Sequence, residues 1–361
     1  MMKCCVSHMT AVRWFMAHEN PRARVGYRQR PIDLSCCSAV PEDRAEPLAR
    51  ALEIPDGAPI DLIVGRARDR RGSDRVRYRT CAFAPLPAGS LVRLPVEVPQ
   101  LEVYAACPEW AFAQICGEGD LIGSIYTGHA LCSGYRMDAT RGSGVRSRAD
   151  GALTSVFLIE RYLQEADGIW GGGRAREALP FVMEGSRSPM ETGLGMWFGL
   201  PVRLGGFGLN VISLNPRVRI PSVIGSVGER FPDIAIAEPG LRLGARVRGR
   251  SHPIALVDYD ADSEHATSRR KVARDSGRRN ELATVRDVVH FTVTTDQVGD
   301  YLYMCKLAEG IRKTVGARRL PRFKPGTPED ERHARLDEID RLRFALWFRL
   351  IGKKVARRSE P

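Results

Sequence analysis

Four carboxylates follow one another in the central part of the chain. Glu191 lies in the segment SPMET, Asp233 in FPDIAIAEP, and Asp258 and Asp260 in IALVDYD. Alternation along a strand places Asp258 and Asp260 on one face of a sheet. Converging carboxylates bind hard divalent cations such as Mg²⁺, and such an ion can activate water and neutralise the charge of a phosphodiester. We therefore take all four as candidate catalytic residues, and Asp233, Asp258 and Asp260 as candidate metal ligands.

Glu191 also has a complete structural explanation. Ser188 is a typical N-cap, Pro189 suits the first helical position, and Glu191 lies three residues after the cap, as in a capping box. The pattern predicts a helix that continues to Leu200 and ends before Pro201. The roles of metal ligand and capping carboxylate are compatible, so both stay open.

A basic segment follows the paired aspartates directly. Within SRRKVARDSGRRNEL, for which we expect a helix, arginines spaced by four residues share one face. They either contact the phosphates of a nucleic acid, with binding that weakens as salt rises, or form a solvated face paired with Asp275 and Glu281. The candidate DNA-binding residues are His265, Arg269, Arg270, Lys271, Arg274, Arg278 and Arg279.

The neighbouring segments predict the elements that position these side chains. FPDIAIAEP, IALVDYD and VVHFTVTTDQV are typical of strands, and the last is a core strand in which His290 is buried or edge-facing rather than catalytic. The glycines of RLGGFGLN precede a strand and not a helix. They therefore predict a tight turn and not a phosphate-binding loop.

The order of a helix glutamate, a Pro-Asp strand and a paired acidic strand resembles the PD-(D/E)xK restriction-endonuclease-like fold. VDYDADSEH, RRKVARDSGRRNEL and VVHFTVTTDQV are most similar to the branch that contains the very-short-patch-repair endonucleases. The resemblance covers residues 188–310. It implies a mixed sheet flanked by helices and an Mg²⁺-dependent DNA endonuclease in which the four carboxylates are catalytic.

Two positions depart from the pattern of that family. Asp258 stands where the family usually has the longer Glu, and Asp260 replaces the lysine of the general motif, as is common in this branch. Catalysis requires placement within about 0.5 Å, so the shorter side chain puts activity in question. A second hypothesis therefore stays open: a non-enzymatic DNA-binding regulator of the antitoxin type with an inactive nuclease fold.

The first half of the chain predicts an α+β region. Residues 1–55 hold one clear helix, in VPEDRAEPLARALEI, and APIDLIVG, RVRYRTCAFAPL, SLVRLPVEV and LEVYAA are typical of strands. The run CPEWAFAQICGEGDLIGSIYTGHALCSGY predicts helix, turn and helix. With the preceding strands, it resembles the body of abortive-infection type antitoxins, which implies a DNA-binding role. ATRGSGVRSRADG predicts an internal linker.

Composition and charge limit the classes of function. With 361 residues, of which 43% are hydrophobic and 27% charged, the chain is typical of a globular protein with two domains. The net charge of +12 favours an anionic partner, DNA first. The chain contains no long apolar run, which predicts no membrane insertion and a cytoplasmic protein. Nine cysteines without a CxxC pair predict buried thiols in a reducing compartment.

We therefore predict an α/β chain in three parts. They are an antitoxin-like α+β region (1–180), a restriction-endonuclease-like domain (181–316), and a basic linker with a C-terminal amphipathic helix (317–361). We expect this helix to dock on the body or on a second copy in a homo-oligomer, with a protein partner or a membrane surface as the alternatives. Its expected apolar stripe consists of Leu336, Ile339, Leu342, Leu346 and Leu350.

Overall fold

The chain forms two compact α/β units, divided between Glu184 and Gly185. The computed structural model describes residues 2–19, 34, 37–66, 69, 72–81, 86–221, 227–241, 252–260, 282 and 285–352. Within these ranges, we find no helix with the length and apolar character that crossing a membrane requires.

A five-stranded mixed sheet forms the centre of the N-terminal unit. Its strands are β1 (Met2–Val6), β2 (Ile60–Val64), β3 (Val76–Thr80), β4 (Leu91–Arg93) and β5 (Leu101–Ala106), in the order β3-β2-β1-β5-β4. β1 runs parallel to β5 and antiparallel to β2. The four predicted strands are confirmed as β2 to β5. The central strand, β1, lies in the part of the sequence from which no strand was expected.

The helices of the N-terminal unit include the predicted pair after β5. They are α1 (His8–Ala17), α2 (Glu42–Ala51), α3 (Pro108–Glu118), α4 (Leu121–Leu131), α5 (Val156–Glu165) and α6 (Gly172–Ala178). α3 is the most deeply buried, with Trp110 and Phe112 in the core, and Pro108 opens it as predicted. Of the eight described cysteines, six are buried, and Cys81 and Cys305 are half-buried.

The segment ATRGSGVRSRADG is not a linker, and that prediction is wrong. It forms the turn and second strand of a hairpin, β6 (Tyr135–Met137) paired antiparallel with β7 (Val145–Ser147). Arg148, directly after β7, is buried, and its guanidinium donates to three main-chain carbonyls of the same unit. A segment whose composition is typical of linkers is thus fixed to the core by one buried side chain, that of Arg148.

A four-stranded mixed sheet forms the centre of the C-terminal unit. The strands of this unit are β8 (Asn210–Leu214), β9 (Val218–Pro221), β10 (Val227–Arg230), β11 (Ile234–Ala237), β12 (Ile254–Asp260) and β13 (Val288–Thr294). The sheet order is β13-β12-β11-β8, with β12 parallel to β13 and the other pairs antiparallel; β9 and β10 form a separate hairpin. The strands predicted around the acidic residues are confirmed.

The two central strands of this sheet, β11 and β12, are covered on both faces. Ile234 and Val257 are fully buried on one face, while Ala235 and Leu256 on the other face pack in a cluster with Leu282. Burial on both faces explains why β11 and β12 are nearly continuous apolar runs. Charged residues at the ends of these strands are therefore exceptions that need their own explanation.

The α-helices in the described part of the C-terminal unit are α7 (Pro189–Gly199), α8 (Thr295–Gly299), α9 (Tyr301–Thr314) and α10 (Glu329–Trp347). The N-cap of α7 is as predicted, because Ser188 Oγ accepts the Glu191 N–H at 3.1 Å. The tight turn predicted at the glycines is also confirmed: Gly205 has φ +85°, and a Cβ there would lie 2.4 Å from the Leu342 carbonyl oxygen of α10.

The C-terminal helix docks on the body of its own unit. The Trp347 indole donates to the Val298 carbonyl at 3.1 Å, and Ile339 is buried. The predicted apolar stripe is wrong at Leu336 and Leu342, which are each 38% exposed. A shorter stretch of the helix contacts the core than the stripe indicated, since its first ten residues are all exposed and Ile339 is the first buried one.

Candidate functional site

A cleft of about 490 Å³ lies beside the start of α7 in the C-terminal unit. It is lined by Arg187, Glu191, Asn215, Glu229, Arg230, Phe231 and Asp233. Two of the four predicted carboxylates, Glu191 and Asp233, therefore face the same space although 42 residues separate them in the sequence. The fold, and not the local sequence, brings them together.

Glu191 is held by hydrogen bonds from two segments. The carboxylate is 7% exposed, and its Oε2 accepts the Arg187 N–H at 2.7 Å and the Asn215 amide at 2.6 Å. The predicted capping box is thus only half correct. Ser188 caps as expected, but the glutamate accepts from the residue before the cap and not from the cap itself.

Burial raises the pKa of Glu191, although the hydrogen bonds from Arg187, Asn215 and Ser188 each oppose the shift. Removal from water penalises the charged form of a carboxylate, and neighbouring donors only partly compensate. Ionisation of Glu191 is therefore unfavourable in the folded protein, and a cation in the cleft would stabilise the charged carboxylate.

Asn215 contacts both residues that carry the cleft carboxylates, and sequence reasoning missed it. Its amide donates to Glu191 and to the Gly185 carbonyl at 3.1 Å, while its main-chain N–H donates to the Asp233 carbonyl at 2.8 Å. The residue has φ +48°, a left-handed conformation that Asn tolerates better than most side chains. The signal in the sequence was the Asn-Pro dipeptide with Pro216, which marks a turn after β8.

Asp233 and Asp258 are directly opposed at the junction of β11 and β12. The Asp233 N–H donates to Asp258 Oδ1 at 3.1 Å, and the Tyr259 N–H donates to Asp233 Oδ2 at 2.6 Å. Each carboxylate accepts a main-chain donor from the strand of the other. The side chain of Asp233 therefore has a fixed position at the edge of the cleft.

His290 is the second partner of Asp258. Its Nε2 lies 2.8 Å from Asp258 Oδ2, and both side chains are about nine-tenths buried. When the carboxylate is ionised it only accepts, and Nε2 is then the donor. The His290 side chain is buried, as predicted, but its strand is not the core strand that was expected: β13 is the edge strand of the described sheet, and Val293 is its one buried residue. The contact of His290 with Asp258 could not be predicted, because the partner lies on another strand.

Asp258 and Asp260 differ in their surroundings. By strand alternation both lie on one face of β12, as predicted, but Asp258 is buried while Asp260, at the end of the strand, is half-buried. Neither belongs to the lining of the cleft. The candidate DNA-binding residues, from His265 to Arg279, lie outside the part of the chain that the structure describes.

The donor atoms of the cleft suit a hard cation. Mg²⁺ is commonly held by one or two carboxylates, with water and substrate phosphate completing its coordination. Glu191 and Asp233 supply that number. A larger set is not assembled: among the described residues, no three His, Cys, Asp or Glu side chains form a group that could hold a metal. The residues present thus fit an open site of two carboxylates and not a closed metal cage.

Positive charge lies beside these carboxylates. The Arg187 guanidinium is 4.9 Å from the centre of the Phe231 ring, and Arg230 also lines the cleft. Glu229, the third acid in the lining, forms an ion pair with Arg217. Guanidinium groups next to a cation site are suited to the oxygens of a phosphate.

Comparisons of the chain with family models, with curated proteins and with solved structures find no match.

Proposed function

We propose that the C-terminal unit is a metal-dependent nuclease that hydrolyses DNA phosphodiester bonds at the cleft. The observation that carries the proposal is the presence of Glu191 and Asp233 in one cleft with Arg187 and Arg230. Two carboxylates and two guanidinium groups match the two needs of this chemistry, a bound divalent cation and a held phosphate.

Five of the seven residues that line the cleft then have a role. Glu191 and Asp233 would hold Mg²⁺, which would supply charge neutralisation and an activated water. Arg187 and Arg230 bind the non-bridging oxygens of the phosphate and orient the scissile bond. Asn215 positions Glu191 through its amide, and it positions Asp233 through its main-chain N–H.

Asp258 acts as a positioning residue in this account. Both of its oxygens accept hydrogen bonds, one from the Asp233 N–H and one from His290. The short side chain at this position suits a role in fixing the neighbouring strand. The mixed sheet with α7 before it and α8 and α9 after it agrees with the restriction-endonuclease-like resemblance in outline. Both observations support a nuclease in which Asp258 orients Asp233.

The test is cleavage of supercoiled plasmid in Mg²⁺ or Mn²⁺ by the full chain. We expect wild-type protein to nick or linearise the plasmid, and Asp233→Asn to lose the activity by at least about a hundredfold, since a carboxylate ligand is removed. Glu238→Gln, which neutralises an acid at the opposite end of β11, is the matched control and should cleave normally. Cleavage that survives Asp233→Asn, or that proceeds in EDTA, contradicts the proposal.

A second candidate function is DNA binding without cleavage. The observation that favours it is the engagement of both Asp258 oxygens by protein donors, together with the two-carboxylate limit of the described cleft. A regulator of the antitoxin type would shift duplex DNA in a salt-dependent manner and leave plasmid intact in both metals. A salt-dependent shift of duplex DNA together with intact plasmid would contradict the nuclease proposal and support DNA binding without cleavage.

A further inference from the structure

The hairpin β6–β7 of the N-terminal unit carries a pairing that is unfavourable on its own. Arg136 and Arg146 are directly opposite each other across the two antiparallel strands. Like charges in this position destabilise a sheet. Within the described part of the chain, no carboxylate lies at ion-pair distance from Arg136 or Arg146, although Asp138 in the turn interacts electrostatically with Arg136. An anion from outside the unit would compensate the repulsion.

The same hairpin is firmly attached to its unit. Tyr135 is 1% exposed, and the Arg148 guanidinium donates to the carbonyls of Tyr135, His18 and Phe15 at 3.0, 2.8 and 2.5 Å. Burial lowers the pKa of Arg148 to about 10; Asp150 opposes this shift and Arg136 adds to it. Arg148 therefore stays charged at neutral pH, and it adds to the positive charge at the base of the hairpin.

The turn of the hairpin is also ordered by its own contacts. Asp138 accepts hydrogen bonds from the N–H and hydroxyl of Thr140, and its N–H donates to the Gly144 carbonyl at 3.0 Å. Gly144 has φ +70°, which a glycine adopts without strain. A pre-ordered ribbon loses less conformational entropy when it binds a partner than a flexible loop does.

We propose that the ribbon formed by residues 135–147 is a docking surface for duplex DNA, with Arg136 and Arg146 contacting backbone phosphates. The choice of DNA rests on the nucleic-acid function proposed above, whereas the surface belongs to the other unit. Two strands about 4.8 Å apart fit into a major groove about 12 Å wide. Two adjacent arginines then meet a partner whose negative charges repeat along its length.

The composition of the ribbon favours a duplex over other anionic partners. Single-stranded nucleic acid is bound by exposed aromatic platforms, but Tyr135, the aromatic residue of the ribbon, is buried. A membrane surface requires an apolar face that enters the lipid, and Met137 is the one large exposed apolar side chain here. Phosphate contact by arginine from a rigid ribbon needs neither feature.

The experiment measures binding of the full chain to labelled duplex DNA in EDTA, between about 50 and 200 mM salt. The variant combines Arg136→Gln with Arg146→Gln. We expect its affinity to be at least about tenfold weaker and its salt slope smaller by about two, one for each lost phosphate contact. Its melting temperature should be unchanged or higher, because a like-charge pair is removed. If the two arginines were needed only for folding, their replacement would lower the melting temperature.

Arg161→Gln is the matched control, since this exposed arginine on α5 already pairs with Glu165. It should bind as wild type does. Unchanged affinity and slope in the double variant overturn the ribbon proposal, and the nuclease proposal stands if cleavage persists. If wild-type protein does not cleave plasmid but its duplex binding depends on both arginines, the nuclease proposal fails and the ribbon proposal stands. Duplex binding that is unaffected, with lost binding to phosphatidylserine vesicles, assigns the ribbon to a membrane surface and also overturns the proposal.

Discussion

Asp233 and Asp258 hold each other through the main chains of β11 and β12. The N–H of Asp233 donates to Asp258 Oδ1 at 3.1 Å, and Asp233 Oδ2 accepts the N–H of Tyr259, the neighbour of Asp258, at 2.6 Å. The pair is one residue beyond the register Ile234 to Val257. Replacement of either side chain therefore removes a hydrogen bond that holds the strand of the other residue in place.

Loss of the Asp258 carboxylate should destabilise the C-terminal unit. Asp258→Ala leaves the buried His290 Nε2 and the Asp233 N–H without their acceptor, which we expect to cost about 3 kcal/mol in the free energy of unfolding. Asp260→Ala, at a half-buried position two residues along the strand, should cost less than about 1 kcal/mol. Urea denaturation of both variants measures the difference. Equal losses contradict the positioning role of Asp258.

The stability effect of Glu191 should depend on pH. Because burial raises its folded pKa above the ordinary value of 4.5, the stability that Glu191 contributes is complete below that value and is lost as pH rises through the folded pKa. Glu191→Gln cannot ionise and still offers an oxygen to Arg187 and Asn215. In metal-free buffer, its melting temperature relative to wild type should rise between pH about 5 and about 8. A difference that stays constant or falls over this range contradicts the burial argument.

Replacement of Asn215 should separate its backbone role from its side-chain role. Asn215→Gly accepts the positive φ and loses the amide contacts, so we expect stability within about 1 kcal/mol of wild type and roughly tenfold weaker binding of Mn²⁺. Asn215→Ala loses the same contacts and adds backbone strain, which should cost about 1 kcal/mol more. Calorimetric titration and thermal melting test the two effects. Unchanged Mn²⁺ affinity in both variants excludes a positioning role.

Arg148 should be essential to the N-terminal unit. Arg148→Gln removes a buried guanidinium that donates to three carbonyls, and we expect the unfolding free energy of this unit to fall by about 3 kcal/mol. Arg146→Gln, two residues earlier and exposed, is the control and should change stability by less than about 0.5 kcal/mol. Similar melting curves for the two variants would show that the buried hydrogen bonds contribute little.

Local patterns predicted the elements of the fold well. Ser188 and Pro189 fixed the start of α7, and alternation in IALVDYD placed Asp258 and Asp260 on one face of β12. These features depend on hydrogen bonds and side-chain directions within a few residues, so the sequence contains them directly. Strand β1 was missed because MKCCV is short and has no clear alternation, although its position at the centre of the sheet determines its structure.

The composition of the site was only partly predictable. The sequence identified Glu191 and Asp233, but the roles of Asn215 and His290 depend on partners 24 and 32 residues away. The hairpin β6–β7 was mistaken for a linker because Gly, Ser and Arg are typical of both. Only the buried contacts of Arg148 distinguish the two structures.

Binding of Mn²⁺, followed by the electron paramagnetic resonance signal of the free ion, tests most directly whether Glu191 and Asp233 together hold a divalent cation. We predict that wild type and Glu238→Gln bind the ion with equal affinity. Asp233→Asn and Glu191→Gln should each bind at least about tenfold more weakly, a loss of about 1.4 kcal/mol or more. Equal affinity in all four proteins, or no binding by wild type, contradicts the shared site.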